Sequence, residues 1–378
     1  YLGLDRVCVK DESYRFGLNA FKVLGGSYAI ARYIGEETGK DISELPYSVL
    51  TSQELREKFG TATFYSATDG NHGRGVAWAA NKLHQKSVII MPKGSTVTRL
   101  NHIKAENAEA WISEVNYDEC VRQAAKLAEK TEHGVMVQDT AWEGYEKIPA
   151  WIMEGYGTMA DEAGDQYGER PTHIFVQAGV GSLAGAVVGY FANRYRENPP
   201  VMVVVEASAA DCLYRGAAAG DGEIRIVDGD MDTIMAGLAC GEPNITSWDI
   251  LKNHVSCFIS LEDCAAARGM RMLAAPLKGD RQVVSGESGA ASFASASAAT
   301  GAESFAASNL PSSFASMSER NSSFDFAAIR ASLKSGSMII VASLLRTSRC
   351  TSASVAGAAI SKKRREGFWS IASKSMPA

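Results

Sequence analysis

The sequence predicts an α/β fold built from mostly parallel sheets flanked by helices. Short apolar runs rich in β-branched residues alternate with amphipathic stretches, for example the runs at 87–91 and 201–205 and the stretch at 117–130. This order is typical of βαβ units, in which a helix connects two parallel strands. Several apolar runs end directly in polar or glycine-rich turns, and ligands of α/β proteins collect at that edge of the sheet.

The elements follow from the period of the apolar residues. We expect helices at 76–83, 117–130 and 144–167. The uncharged stretch from Ile174 to Asn193 is long enough to cross a membrane, but its glycines divide it into a strand, a loop and a helix. We expect strands at 7–10, 64–66, 87–91, 135–137, 173–176 and 201–205.

Composition narrows the class of protein. The 378 residues are 46% hydrophobic, which excludes a wholly disordered chain, and the net charge of −5 disfavours a nucleic-acid-binding surface. Seven cysteines without a C-x-x-C or Cys/His cluster argue against a structural zinc site and suit a reducing compartment. We therefore expect a cytoplasmic protein with no nucleic-acid partner, no membrane segment and no metal.

The composition changes near residue 290. From Ala291 onward, 41 of 88 residues are Ser or Ala (22 plus 19), and ten basic against four acidic residues give this segment about +6. Two interpretations are open: a low-complexity, disordered tail, or a change of coding frame. Only the apolar run at 338–345 resembles a strand there.

Lys22 is the first residue with a chemical signature. It stands where the turn Gly17-Leu18-Asn19 becomes a helix, among apolar neighbours. A lysine desolvated in such a place has a lowered pKa, and its neutral amine can form a Schiff base. A surface helix lysine is the structural alternative.

A polar turn follows the expected strand at 64–66. The string Ala67-Thr68-Asp69-Gly70-Asn71-His72-Gly73 leads from that strand into the next helix, so Asp69 and Asn71 should lie at the carboxyl end of a sheet. Asp69 acting only as a helix cap, and His72 as a satisfied buried histidine, are the alternatives.

A glycine-rich loop, Gln177-Ala178-Gly179-Val180-Gly181-Ser182-Leu183, follows the strand at 173–176. Glycines let main-chain N–H groups converge on an anion, and the dipole of the following helix adds attraction. The loop therefore suits a phosphate group.

A lysine, an asparagine turn and a phosphate loop in this order resemble the pyridoxal-phosphate enzymes of fold type II. Within that group the sequence resembles the diaminopropionate ammonia-lyase family from about Leu4 to Gly289. The strings that carry the resemblance are KDESYRFGLNAFKVLGGSYAI, ATDGNHGRGVAWAA, MPKGS, VQDTAWEGYEKIPAWIMEGY, QAGVGSLAG and IMAGLACGEPN.

The resemblance implies pyridoxal 5'-phosphate as cofactor and assigns residues to it. Lys22 matches the lysine that forms the Schiff base, and Asn71 matches the asparagine at the 3'-oxygen. The loop at 237–241 matches a segment near the ring. The phosphate loop matches Gly179, Val180, Gly181, Ser182 and Leu183.

The resemblance also implies the reaction, an α,β-elimination of D- or L-2,3-diaminopropionate to pyruvate and ammonia. Asp69 and Asp139 match two acidic residues at the substrate site, and carboxylates suit a substrate with a second ammonium group. Asp69 would serve the D-isomer as base and Lys22 the L-isomer. A serine or threonine dehydratase, which has serine in place of Asp69, and an inactive truncated remnant remain alternatives.

The implied architecture has two domains and a homodimer. We expect a large cofactor domain from 1–40 and 168–290, a small domain at 41–167, the anomalous tail at 291–378, and an active site in the cleft. Tyr1 would then follow a truncated N-terminus. After residue 290 the family's strand and hydroxyl motif have no clear counterpart, and Ser343 lacks the expected neighbours.

Two pairs of residues near the implied site leave alternatives open. Cys212 and Cys240 either form a disulfide or are two free thiols. Trp142 and Tyr145 either line the substrate pocket or pack in the core.

Overall fold

The computed structural model describes residues 6–68, 70–299 and 337–342. Contacts among them define two compact units. Unit 1 contains 6–21, 140–146, 159–299 and 337–342, and unit 2 contains 22–68, 70–139 and 147–158. Each unit has one sheet in which every strand pairing is parallel, and helices pack on both sheets. The predicted α/β class with parallel sheets flanked by helices is confirmed.

The described strands are β1 (Arg6–Asp11), β2 (Thr63–Ala67), β3 (Lys86–Met91), β4 (Glu109–Ile112), β5 (Gly134–Met136), β6 (His173–Gln177), β7 (Val201–Ala207), β8 (Cys257–Leu261) and β9 (Ser337–Ala342). The α-helices are α1 (Val23–Thr38), α2 (Tyr47–Leu50), α3 (Gln53–Phe59), α4 (Asn71–Lys82), α5 (Val97–Lys104), α6 (Tyr117–Lys130), α7 (Lys147–Tyr167), α8 (Ser182–Arg194), α9 (Cys212–Ala219), α10 (Ile245–His254), α11 (Asp263–Ala274) and α12 (Glu287–Ala299).

Every strand and helix expected from the sequence is found among the described residues, but the bounds differ in places: the helix expected at 76–83 begins earlier, at Asn71, and ends at Lys82. The helix expected at 117–130 has those bounds, and the one expected from residue 144 begins at Lys147. The uncharged stretch 174–193 divides into β6, a loop and α8. Among the described residues, no helix has both the length and the hydrophobicity that a membrane crossing requires.

Unit 2 is built on a four-stranded sheet of order β4-β3-β2-β5. The strands β2 and β5 are parallel neighbours, with Thr63 opposite Gly134 and Tyr65 opposite Met136. Their carboxyl ends therefore lie side by side. The chain leaves β2 towards Asn71 and leaves β5 towards Asp139, so this pairing brings the two predicted site segments to one edge.

Helix α1 packs directly against α4 in unit 2. A Cβ atom at Gly75 would lie 2.8 Å from the Cα of Val23, closer than such atoms approach. Glycine therefore lets the start of α1 approach the backbone of α4. Lys22 is the N-cap residue of α1, and Asn71 is the first residue of α4.

Unit 1 is built on a five-stranded sheet of order β1-β9-β6-β7-β8. Its core contains large buried side chains, among them Phe175 on β6, Val203 on β7 and Ile259 on the edge strand β8. These strands read as continuous apolar runs because parallel strands covered on both faces bury every residue.

The sequence placed the end of the ordered large domain at residue 290, and the structure differs. Helix α12 extends to Ala299, and Ala291, Ala294 and Ala296 belong to the core of unit 1. A Cβ atom at Gly269 of α11 would lie 3.0 Å from the Cβ of Ala294, so small residues let the two helices approach closely. The Ser/Ala content of 291–298 is therefore the content of a tightly packed helix.

The run expected as a strand at 338–345 contributes β9, which lies between β1 and β6 and is parallel to both. Of the predicted tail, 300–336 and 343–378, including Ser343, lie outside the described residues. A change of coding frame stays a prediction, which translation of the nucleotide sequence in the other two frames checks.

The boundaries between the units also differ from the predicted ones. Helix α1 belongs to unit 2, not to the unit that contains the glycine loop. The part of α7 from residue 159 belongs to unit 1. The predicted boundaries at 40 and 168 followed the resemblance, whereas contacts divide the described chain between residues 21 and 22, 139 and 140, 146 and 147, and 158 and 159.

Candidate active site

Lys22 and Asp139 form an ion pair inside unit 2. The Nζ of Lys22 lies 2.6 Å from Oδ2 of Asp139, and the Asp139 side chain is 2% exposed. Lys22 is held at the start of α1, and Asp139 follows β5. Two residues 117 positions apart are thus joined at the predicted sheet edge.

Asp139 is ionised despite its burial. Burial alone would raise the pKa of its carboxyl, but the positive charge of Lys22 and a smaller contribution from His72 lower it to about 2. The Nδ1 of His72 lies 3.9 Å from Oδ2, and its Nε2 lies 2.9 Å from the carbonyl oxygen of Val137. His72 is therefore a buried histidine fixed beside the ion pair.

Neutral donors approach the other oxygen of Asp139. The Tyr117 hydroxyl donates to Oδ1 at 3.4 Å, and the Gln138 amide nitrogen donates to the same oxygen at 3.3 Å. Tyr156 is also buried near the pair: burial raises the pKa of its hydroxyl, the charge of Lys22 lowers it and that of Asp139 raises it. The carboxylate of Asp139 is thus paired on one oxygen and hydrogen-bonded on the other.

Asn71 lies in the same unit as the ion pair, at the first position of α4, and is half-buried. The helix N-terminus gives this position a partial positive charge. Asp69, the second acidic residue of the prediction, lies outside the described residues.

The glycine loop of unit 1 joins β6 to α8. Gly181 has φ of +104°, a conformation that favours glycine, and a Cβ there would lie 2.6 Å from Oγ of Ser247. A Cβ at Gly179 would lie 3.0 Å from the carbonyl oxygen of Gly237. Side chains are thus excluded at both positions by neighbouring segments, and the loop at 237–241 lies beside Gly179. The expected place of that loop near the cofactor ring stays a prediction.

Asn244, the N-cap residue of α10, fixes this loop. Its main-chain N–H donates to the carbonyl oxygen of Val180 at 2.7 Å, and its Nδ2 donates to Oγ of Ser182 at 2.8 Å. Within the described residues, the main-chain N–H groups of Gly179, Val180, Gly181 and Leu183 make no hydrogen bond. A rigid loop with open N–H groups at a helix N-terminus fits a phosphate group.

A second buried carboxylate, Glu206, lies on β7 of unit 1. It accepts hydrogen bonds from the main-chain N–H groups of Leu213 at 3.0 Å and Tyr214 at 2.6 Å, at the start of α9. Burial raises the pKa of Glu206 to about 8, although these two hydrogen bonds lower it.

The thiol of Cys212 lies 3.6 Å from Oε1 of Glu206 and 3.9 Å from the carbonyl oxygen of Cys240. Both cysteines are buried, and the structure does not join them in a disulfide, which corresponds to the thiol alternative of the prediction. Burial also raises the pKa of the Cys212 thiol.

The structure therefore groups Lys22, Asn71 and Asp139 in unit 2 and Gly179–Leu183 in unit 1. Sequence reasoning missed Tyr117 and Tyr156, because no local pattern shows that a helix residue faces the end of a strand. It also missed Gln138, which follows β5, because its partners on β2 are distant in the sequence. Trp142 and Tyr145 stack on each other, with ring centroids 4.3 Å apart; their pocket role stays a prediction.

Comparisons with known proteins agree with this geometry. The model of a family described as pyridoxal-phosphate dependent enzyme matches residues 1–309, and the chain belongs to this family. A paired lysine and a glycine-bounded anion loop are what that cofactor requires, since it combines an aldehyde with a phosphate. The predicted cofactor class and fold type are confirmed.

Within the family, the similarity is to diaminopropionate ammonia-lyases, as the sequence predicted. The enzyme of Salmonella typhimurium is 54% identical over 294 residues, which are 76% of this chain and 72% of that protein. The Escherichia coli enzyme solved in complex with D-serine is 38% identical, covers 99% of this chain and 85% of its own, and has a TM-score of 0.75. The same enzyme solved with an aminoacrylate-PLP azomethine reaction intermediate has a TM-score of 0.73, at 38% identity and with 99% and 85% covered.

Proposed function

We propose that this chain is a carbon–nitrogen lyase that uses pyridoxal 5'-phosphate to convert 2,3-diaminopropionate to pyruvate and two molecules of ammonia. The observation that carries the proposal is the ion pair between the half-buried Lys22 and the buried Asp139, whose Nζ and Oδ2 atoms lie 2.6 Å apart. The similarity to diaminopropionate ammonia-lyases supports the substrate.

The residues of both units fit the cofactor. Lys22 would bind its aldehyde carbon, Asn71 its ring oxygen, and the main-chain N–H groups of Gly179–Leu183 its phosphate. When bound, the pyridine ring supplies an electron sink for the charge left at the substrate's α-carbon.

Lys22 also moves protons. Its neutral amine can accept the α-proton, and the resulting ammonium group can pair with Asp139, whose Oδ2 lies 2.6 Å from Nζ. We assign proton removal from the L-isomer to Lys22 and from the D-isomer to the carboxylate of Asp69.

The bond changes balance without an oxidant. The Cα–H bond breaks and its proton passes to the base, the Cα–Cβ double bond forms, and the β-nitrogen leaves as ammonia with its electron pair. The 2-aminoacrylate that is released tautomerises to an imine. Water then displaces the second nitrogen as ammonia and gives pyruvate.

Asp139 favours a substrate with two ammonium groups. Its carboxyl is ionised at neutral pH, because the charge of Lys22 lowers its pKa to about 2. A β-ammonium group interacts favourably with such a buried charge, whereas the neutral hydroxyl of serine gains much less. The site therefore discriminates against serine and threonine by charge.

We also propose that the protein is a cytoplasmic homodimer that degrades an amino acid. The dimer follows from the resemblance, and the buried free thiols suit a reducing compartment. Light scattering at the elution peak of a sizing column measures the mass, and a monomer mass at assay concentration would contradict the dimer.

The test is pyruvate release by the purified chain with pyridoxal phosphate. D- and L-2,3-diaminopropionate are compared with L-serine and L-threonine at equal concentration. We expect diaminopropionate to be preferred by at least about tenfold. Preference for serine or threonine would identify a dehydratase. No product from a chain that binds the cofactor would identify an inactive remnant.

A further inference from the structure

Gln138 joins the ends of two neighbouring strands of unit 2. Its side chain is fully buried, immediately before Asp139. Its Oε1 accepts hydrogen bonds from the main-chain N–H of Ala67 at 3.0 Å and from the hydroxyl of Ser66 at 3.1 Å. Ser66 and Ala67 are the last two residues of β2, the strand that leads to Asn71.

These partners fix which way the Gln138 amide faces. The main-chain N–H of Ala67 is a donor only, so the atom facing it is the carbonyl oxygen. The amide nitrogen then faces the other way. It donates to the Tyr117 hydroxyl at 2.6 Å and to Oδ1 of Asp139 at 3.3 Å.

The two carboxylate oxygens of Asp139 therefore have different hydrogen-bond partners. Oδ2 faces Lys22 at 2.6 Å, while Oδ1 receives the Gln138 amide and the Tyr117 hydroxyl. The Gln138 amide nitrogen donates to the Tyr117 hydroxyl oxygen, and that hydroxyl in turn donates its own proton to Oδ1. Two donors on Oδ1 fix the plane of the carboxylate and favour its ionised form.

We propose that Gln138 is a positioning residue for the reaction: anchored on β2, it orients the carboxylate of Asp139 towards Lys22 and keeps that carboxylate ionised. This role rests on the function proposed above. Gln138 acts through Asp139 and is therefore not itself a catalytic residue.

Gln138→Glu is the sharpest test, because it keeps the shape and the acceptor facing Ala67 but removes the donor facing Asp139. When the new carboxyl is ionised, its charge repels that of Asp139 and stabilises a proton on the Lys22 nitrogen. We expect the acid limb of the kcat/KM profile, and the pH midpoint of the absorbance change of bound pyridoxal phosphate, to move up by about 1 unit or more.

Gln85→Glu is the matched control. Gln85 anchors the opposite end of β2 in the same way: its Oε1 accepts from the main-chain N–H of Ala62 at 2.8 Å, and its Nε2 donates to the carbonyl oxygens of Gly60 and Leu83. The same chemical change there should lower thermal stability without moving either pH value. A merely structural role for Gln138 predicts that the two variants behave alike.

Two results would overturn the proposal: a Gln138→Glu midpoint equal to that of the wild type, or an equal shift in Gln85→Glu. If Gln138→Glu does not fold, Tyr117→Phe removes one donor to Oδ1 and leaves the anchor on Ala67; its midpoint should rise by a smaller amount, and no rise would overturn the proposal. The absorbance titration needs no turnover, so it decides the role of Gln138 even if the wild type releases no pyruvate.

Discussion

Each of the two sheets has a fully buried carboxyl group near the carboxyl end of a strand. The pKa of one group is shifted below its ordinary value, and the pKa of the other is shifted above it. Asp139, after β5, has its pKa lowered to about 2, whereas Glu206, on β7, has its pKa raised to about 8. Burial raises the pKa of both groups. The opposing influence on Asp139 is chiefly a full positive charge, and on Glu206 it is a pair of main-chain N–H groups.

The comparison shows what decides the state of a buried carboxyl here. One ammonium group at 2.6 Å outweighs complete desolvation, while two N–H dipoles at 2.6 and 3.0 Å do not. Asp211 adds negative charge near Glu206 and raises its pKa further. At neutral pH unit 2 therefore holds a charged carboxylate suited to catalysis, and unit 1 holds a protonated carboxyl suited to anchoring α9.

Removing the ammonium group of Lys22 should have the largest effect on this difference between Asp139 and Glu206. Lys22→Ala should lower turnover of both diaminopropionate isomers by about 10³-fold or more, since it removes the amine proposed to bind the cofactor and one of the two proposed bases. Stopped assays of pyruvate measure the loss. Lys147→Ala is the matched control, because Lys147 pairs with Glu36 on the surface of the same unit at 2.5 Å and such pairs contribute little. A Lys22→Ala enzyme with near-normal turnover would refute the assignment.

A substitution at Asp69 tests whether this carboxylate acts on one isomer of the substrate or on both. Asp69→Asn removes the proposed base for the D-isomer but leaves Lys22 for the L-isomer. We expect D-isomer turnover to fall by about 10²-fold or more, and L-isomer turnover to fall by much less. Steady-state kinetics with each isomer measures the ratio. Equal losses for both would contradict the two-base assignment.

The raised pKa of Glu206 predicts that its contribution to the stability of the folded chain falls as the pH rises. Its folded pKa of about 8 exceeds its unfolded value of about 4.3, so between these pH values the folded chain holds a proton that the unfolded chain has lost. Its contribution to the free energy of unfolding is therefore present below about pH 4.3 and is lost as pH rises through 8. The difference in Tm between wild type and Glu206→Gln should shrink steadily from pH 5 to pH 8.

Glu197→Gln, which changes an exposed carboxylate of the same unit, is the control for that measurement. Its difference from the wild type should be small at every pH, because surface charges away from such networks change stability little. A Tm difference for Glu206→Gln that does not depend on pH would mean that Glu206 is ionised in the folded protein.

The thiols beside Glu206 give the smallest effect. Burial raises the pKa of the Cys212 thiol, so both Cys212 and Cys240 should resist iodoacetamide while the chain is folded, whereas the exposed Cys264 should react. Peptide mapping by mass spectrometry measures each site. After denaturation without reductant, Cys212 and Cys240 should both be alkylated; protection that only a reductant removes would identify a disulfide.

The sequence predicted much of the site because its signals are local. Lys22 at a helix start, Asn71 at the next, and the loop 179–183 between a strand and a helix are each defined by a few neighbouring residues. The alternation of apolar runs and amphipathic stretches likewise predicted the parallel sheets. The run near residue 340 was recognised as a strand candidate, but its apolar residues did not indicate its partners.

The order of the strands was decided only by the tertiary structure. The placement of β9 between β1 and β6 and the pairing of β2 with β5 depend on contacts between segments far apart in the chain. The same pairing let Gln138 reach Ala67, and the fold brought Tyr117 to Asp139. A periodic pattern reports which face of an element is buried, but it does not report which element covers that face.

The charge states belong to the same division. The sequence by itself determined that Lys22, Asp139 and Glu206 are present and which lie near strand or helix ends. Only the tertiary structure decided that Asp139 meets an ammonium group, whereas Glu206 meets two main-chain N–H groups. Electrostatic energies depend on distances and desolvation in three dimensions. Two carboxyl groups that are both buried therefore acquire opposite shifts in pKa.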